Sequence, residues 1–100
     1  MREKLTPSQL KAALTKCGGW RARGKTAITK RFVFTDFNAA FAWMARVAML
    51  AEKMDHHPEW SNVYKTVDVT LTTHDAGGVT NLDIKMARFM NQTAGRAGRH

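Results

Sequence analysis

This chain of 100 residues has little cysteine and few acids, and each shortage narrows the functions open to it. Cys17 is the only cysteine, so no disulfide can form within the chain, and nor can a cysteine-based zinc site of the usual kind. It falls near the end of a predicted helix with no acid–base partner in its motif, which marks it as structural and not nucleophilic. Such cysteine usage fits a reducing cytoplasm. No apolar run reaches the length of about 18 residues that a membrane span needs, and no apolar leader core opens the chain, so neither a span nor a secretory signal is expected. Asp and Glu number 8 against 16 Lys and Arg, a formal net charge of +8. Such a balance invites nucleic acid, a membrane surface or an anionic ligand. The cations are scattered, however: Arg2, Lys4, the run "RARGK" over 21–25, Lys30, Arg31, and a tail with Arg96 and Arg99. That is the pattern of a soluble surface with a basic tail, and nucleic acid is the lesser alternative.

What is present is enough for one domain. At 44% hydrophobic residues the chain can fold alone around a small core. A small domain that needs a deep pocket often borrows walls from a second subunit, so an oligomer is expected. The opening "TPSQLKAALTKCGG" predicts a helix: Thr6 caps, Pro7 suits the first position, and Gln9 completes a T-x-x-Q box. Leu10, Ala13 and Leu14 make its apolar face, and Gly18 and Gly19 stop it. A hairpin follows, with strands over 20–23 and 27–34 and Gly24 in the turn. Ile28, Phe32 and Phe34 share one side; Thr29, Arg31 and Val33 share the other.

The strongest helix starts at Thr35 or Asp36. Phe37, Ala40, Phe41, Met44, Val47, Ala48, Ala51 and Met54 recur on it at steps of three and four, the signature of a core helix. It ends near His56, because His57 precedes Pro58 and is pushed out of the helical region. Strands over 60–64 and 66–73 come next, parted by a turn or bulge near Lys65, with one long strand as the alternative. Val63, Lys65, Val67, Val69 and Leu71 alternate with Tyr64, Thr66, Asp68, Thr70 and Thr72. Gly77 and Gly78 make a loop. The last helix is capped by Thr80, carries Asp83 at its third position, and offers Leu82, Ile84, Ala87, Phe89 and Met90 to the core. The order α–β–β–α–β–β–α implies an α+β two-layer sandwich, with a four-stranded antiparallel sheet covered by helices on one face. One domain is expected over 1–92, with a basic, disordered tail over 93–100 that includes His100.

The chemistry-bearing cluster is "EKMDHHPEW". His56 and His57 sit on a helix-to-strand corner, with Glu52 and Asp55 before them. His74 lies at the far end of a strand, which an antiparallel sheet can return to that corner. Imidazoles titrate near neutral pH and a carboxylate beside each can fix its tautomer. Three of them suit a reaction in which one group leaves as water while a neighbouring nitrogen loses a proton. Zinc or iron binding is a rival reading, awkward because adjacent side chains diverge. Histidines that only cap the helix are the plainest one.

Glu52, His56, His57, Pro58, Tyr64, His74 and Asp83 together resemble the signature of the pterin-4a-carbinolamine dehydratase family. The likeness extends through "FNAAFAWMARVAM" and "GW" and covers residues 7 to 92. It implies dehydration of 4a-hydroxytetrahydrobiopterin to quinonoid dihydropterin, downstream of an aromatic amino acid hydroxylase and without a cofactor or metal. His56, His57 and His74 would be catalytic. Asp55, His56, His57, Thr72, Thr73, His74 and Asp75 would bind the pterin, some through main-chain atoms. Pro58 and Trp60 would wall the ring, unless Trp60 is ordinary packing. Glu52 would orient His56, and Asp83 would cap the last helix and lend charge to the site; Tyr64 reads as strand packing. A homodimer through sheet edges, or a tetramer through helices, is implied as well. Animal members also serve as dimerisation cofactors for a homeodomain transcription factor, so a protein-binding module is the alternative. The high positive charge and the Arg- and Gly-containing tail depart from those members and bear on partners, not chemistry.

Overall fold

The computed structural model describes residues 3–96. Helix α1 (Pro7–Leu14) starts on the predicted capping box: the Gln9 amide donates to Thr6 Oγ1 at 3.1 Å, and the Thr6 amide donates to Gln9 Oε1 at 2.9 Å. Its Leu10, Ala13 and Leu14 are only half-buried, so α1 is a cover on the core and not part of its centre. Strands β1 (Arg21–Arg23), β2 (Ala27–Val33), β3 (Glu59–Val63) and β4 (Thr66–Leu71) form one antiparallel sheet in the order β1-β2-β4-β3. Ile28, Phe32, Val67, Val69 and Leu71 point from it into the helical layer and are buried. On the open face Arg31 forks onto Asp68, at 2.7 and 3.2 Å, and the guanidinium holds that carboxyl below its usual range.

Helix α2 (Phe37–Met54) is capped by Asp36, whose side chain accepts from the Ala39 amide at 2.8 Å. Its buried positions are Ala40, Trp43, Val47 and Ala51. Phe37 and Phe41, expected in the core stripe, are 48% and 60% exposed. Apolar residues run round more than half of this helix, so periodicity alone does not choose the inward side. Trp43 chooses it. Its ring centroid lies 4.6 Å from Phe32 and 5.1 Å from Phe34, and its indole N–H donates to the Met90 carbonyl of α3 at 3.0 Å. An aromatic of this size with its N–H satisfied outweighs two phenylalanines left outside.

The stretch after Pro58 is two strands, not one. Val63 pairs with Thr66 across the two-residue turn Tyr64–Lys65, with Tyr64 at φ 52°. The Asn62 side chain holds the turn by donating to the Tyr64 carbonyl at 3.1 Å and the Thr66 carbonyl at 3.0 Å. Directly paired residues share a face, so Val63 joins Thr66 on the open side and is 77% exposed, away from Val67. Tyr64 is a turn residue, 60% exposed, and does not pack in a strand. Helix α3 (Asn81–Arg96) runs past its expected end, with Thr93 and Ala94 buried. Part of the tail expected to be disordered is therefore helical; residues 97–100 lie outside the described residues.

Trp43→Ala is expected to cost about 3–5 kcal/mol, chiefly through the cavity left in the core. Urea unfolding at fixed protein concentration measures it. A midpoint within the range of surface substitutions would mean that the core is not organised around this ring.

Candidate active site

The site forms where α2 ends, β3 begins and β4 ends. Asp55 adopts the left-handed conformation, φ 53° and ψ 44°, and its amide donates back to the last turn of α2. This reversal, followed by Pro58, turns the chain from helix to strand. The β3–β4 register then pairs Glu59 with Thr70, which sets the start of one strand beside the end of the other. Beyond Leu71, Thr73 bridges to Gly78, its amide donating to the Gly78 carbonyl at 2.9 Å. A short 3-10 turn, His74–Ala76, closes on Gly77, whose φ of 75° suits a residue without a Cβ.

Asp55, His56, His57, Thr72, Thr73, His74 and Asp75 are thereby brought round one hollow of about 240 Å³. All seven expected binding residues line it, and the third histidine joins the first two. Each imidazole has its own carboxylate. His56 Nε2 meets Asp83 Oδ1 at 2.6 Å, with both side chains buried. His57 Nε2 meets Glu52 Oε1 at 3.2 Å, and His74 Nε2 meets Glu59 Oε2 at 2.8 Å, both at the surface. With Nε2 turned to a carboxylate in each ring, Nδ1 is the nitrogen left for another partner. Among the described residues no three of His, Cys, Asp and Glu stand where a single ion would bind them all.

Two expectations about the carboxylates change. Glu52 was expected on His56, four residues on along a helix. The helix ends at Met54, and the turn at Asp55 carries His57, not His56, back over Glu52. Asp83 takes His56 instead and also completes the α3 cap: its Oδ2 accepts from the Thr80 amide at 2.9 Å and from Thr73 Oγ1 at 2.8 Å. The charge expected at a distance is in direct contact. Thr73 spends its hydroxyl on this network and on Thr80, so it supports the hollow from inside. Thr72 donates its hydroxyl to the Thr26 carbonyl at 2.5 Å. Trp60 is half-buried against Trp43, with centroids 6.1 Å apart, and neither it nor the half-buried Pro58 lines the hollow. Glu59 was not singled out from the sequence. The available signal was its place two residues after His57, where a strand in register with β4 faces it towards His74.

Residues 3–93 match the family model for pterin 4 alpha carbinolamine dehydratase. The chain belongs to the pterin-4a-carbinolamine dehydratase family. Curated relatives bearing the pterin-4-alpha-carbinolamine dehydratase name include one from Rhodopseudomonas palustris (strain HaA2), 60% identical over 99 residues, which are 98% of each chain. Another, from Mesorhizobium japonicum, is 60% identical over 95 residues, 94% of this chain and 97% of its own. A crystal structure from Brucella melitensis, described as a transcriptional coactivator/pterin dehydratase, matches with a TM-score of 0.90 at 55% identity and covers 93% of this chain and all of its own. A pterin dehydratase-like protein described as a RuBisCO assembly factor in the alpha-carboxysome has the same fold, with a TM-score of 0.67 at 25% identity over 77% of this chain and 90% of its own. The dehydratase family is one of hydro-lyases, so the enzyme reading of the sequence stands.

Asp83→Ala would leave His56 Nε2, the Thr73 hydroxyl and the Thr80 amide without a buried acceptor. The expected loss is about 3–5 kcal/mol, and less for the isosteric Asp83→Asn. Denaturant unfolding of the two variants tests this; an alanine variant within about 1 kcal/mol of wild type would remove the carboxylate from its structural role.

Proposed function

We propose that this dehydratase converts 4a-hydroxytetrahydrobiopterin to quinonoid dihydropterin and water by histidine general acid–base catalysis. The observation that carries the reading is the convergence of three imidazoles, each paired with its own carboxylate, round one hollow with Asp55 and Asp75 on its walls. In the reaction the C4a–O bond breaks and the hydroxyl leaves as water, taking a proton from one histidine. The N5 electron pair forms the C4a=N5 double bond, and another histidine accepts the N5 proton. No electrons change hands, so the balance needs no redox cofactor. The three Nδ1 atoms are the groups for the two proton transfers. Which imidazole is acid and which is base belongs to the coupled set. Asp55, Asp75 and the main chain of the 72–75 segment meet the amide and amine edge of the ring.

In this reading the protein works in the cytoplasm, recycles tetrahydrobiopterin behind an aromatic amino acid hydroxylase, and has no nucleic-acid partner. Among the described residues no helix is long and apolar enough to cross a membrane. It works as a homodimer or homotetramer. Supporting the assembly are Phe37, Phe41 and Met49 on the outside of α2, 48%, 60% and 70% exposed, with the two phenylalanine rings 6.0 Å apart. The same surface favours the second reading, a protein-binding module akin to a transcriptional dimerisation cofactor.

His57 and His74 are exposed enough to be replaced without loss of the fold. His57→Ala and His74→Ala should each slow carbinolamine decay by about 10²–10⁴-fold, followed by absorbance in a coupled hydroxylase assay. Full activity in both would remove them from the mechanism. Chelators should leave the rate unchanged, since each Nε2 is already committed to a carboxylate; a loss restored by zinc would overturn that. Phe41→Asp should lower the mass found by light scattering, and an unchanged mass would place the subunit contact elsewhere.

A further inference from the structure

Away from the histidines, α1 and the β1–β2 hairpin leave between them an open groove of about 620 Å³. Leu5, Pro7, Leu10, Leu14 and Ala22 give it carbon, and Lys4, Lys11 and Lys25 stand round that carbon. It shares no residue with the histidine hollow, and nothing in the dehydration uses it. We propose that this groove docks an acidic amphipathic helix of another protein. The proposal stands apart from the dehydratase reading and from the aromatic surface of α2.

Shape supplies the first reason. Ala22 pairs directly with Ile28, so both face the helical layer. Ile28 is fully buried there, whereas the single methyl of Ala22 is exposed and leaves the gap to α1 unfilled. Across that gap α1 has no buried residue, and Leu5, Leu10 and Leu14 keep part of their surface wet. Leu10 and Leu14 are four apart and form one ridge on the helix. The eight residues of α1 span about 12 Å, which leaves room beside them for two turns of a second helix. Apolar anchors at steps of three and four are what such a helix sets into a groove. A small molecule in a groove this open would keep one side in water.

Charge supplies the second reason. Among the described residues no carboxylate lies within ion-pair distance of Lys4, Lys11 or Lys25, and no acid lines the groove. Lys4 is held at the rim by its stem, which lies against Gly78: a Cβ there would stand 2.6 Å from Lys4 Cδ. A stem laid down in this way covers backbone while the ammonium stays in water. Three ammonium groups round a carbon floor match acids flanking a leucine stripe. A second copy of this chain carries the same net charge of +8, and its tail holds Arg96 and Arg99, so neither complements the groove. A nucleic acid would meet the lysines and leave the leucines wet.

The test titrates the full chain into a fluorescent, stapled helical peptide of about 14 residues, with Leu at steps of three and four and Glu beside them. Anisotropy should show saturable binding, weakened by added salt. Peptides with Ser for Leu, or with Lys for Glu, should bind at least about tenfold more weakly. Lys11 and Lys25 are exposed, so reversing them keeps the fold. Lys25→Glu should weaken binding about threefold, and Lys11→Glu with Lys25→Glu about tenfold. No binding of the acidic peptide, equal binding of all three peptides, or an unchanged affinity in the double variant overturns the proposal. So does a chain that ignores the peptide and binds phosphatidylglycerol vesicles, since the groove would then face lipid.

Discussion

The buried Asp83 carboxylate is the constraint on which the rest of the site depends. One oxygen accepts from His56 at the end of α2; the other accepts from Thr73 after β4 and from the Thr80 amide at the start of α3. A fully buried charge survives only if donors surround it, and three segments supply them here. The same bonds fix where those segments meet. The hollow is the space they leave, so its dimensions follow from satisfying one acidic group.

The three histidine–carboxylate pairs differ in rigidity because they differ in burial. His56 and Asp83 are sealed in the fold, whereas His57 with Glu52 and His74 with Glu59 lie at the surface. Salt and solvent weaken the outer two pairs. His56 is the buried, fixed member of the three. The strand register adds the outer contact: because Glu59 pairs with Thr70, its side chain stands where His74 returns. A slip of one residue would turn Glu59 to the other face of the sheet and leave His74 without a partner.

The order of elements, the α1 capping box and the shared side of Val67, Val69 and Leu71 were legible in the residues, whereas the return of His74 to His56 and His57 was allowed by the antiparallel order and not required by it. The first three rest on short-range chemistry or strict alternation, which one sequence carries in full. The inward side of α2 was not legible, because Phe37 and Phe41 match the helical period as well as Trp43 does, and only the position of the sheet decides among them. The partners of Glu52 and Glu59 depended on a left-handed residue at Asp55 and on a two-residue turn at Tyr64. Neither position holds the glycine or asparagine that announces such a conformation. Without those two turns, Glu52 reads as a helical neighbour of His56 and Tyr64 as a strand residue.

Helix α2 also keeps the candidate site and an exposed apolar surface apart on one small domain. Its C-terminal end supplies Asp55 and the histidines, while Phe37 and Phe41 are displayed near its start. Fourteen residues separate Phe41 from Asp55, about 21 Å at 1.5 Å per residue. A partner seated on the aromatic pair would cover apolar surface that the fold leaves wet, without entering the hollow. Between the two ends, Trp43 and Val47 lock α2 to the sheet, so the aromatic pair and the hollow are held by the same core.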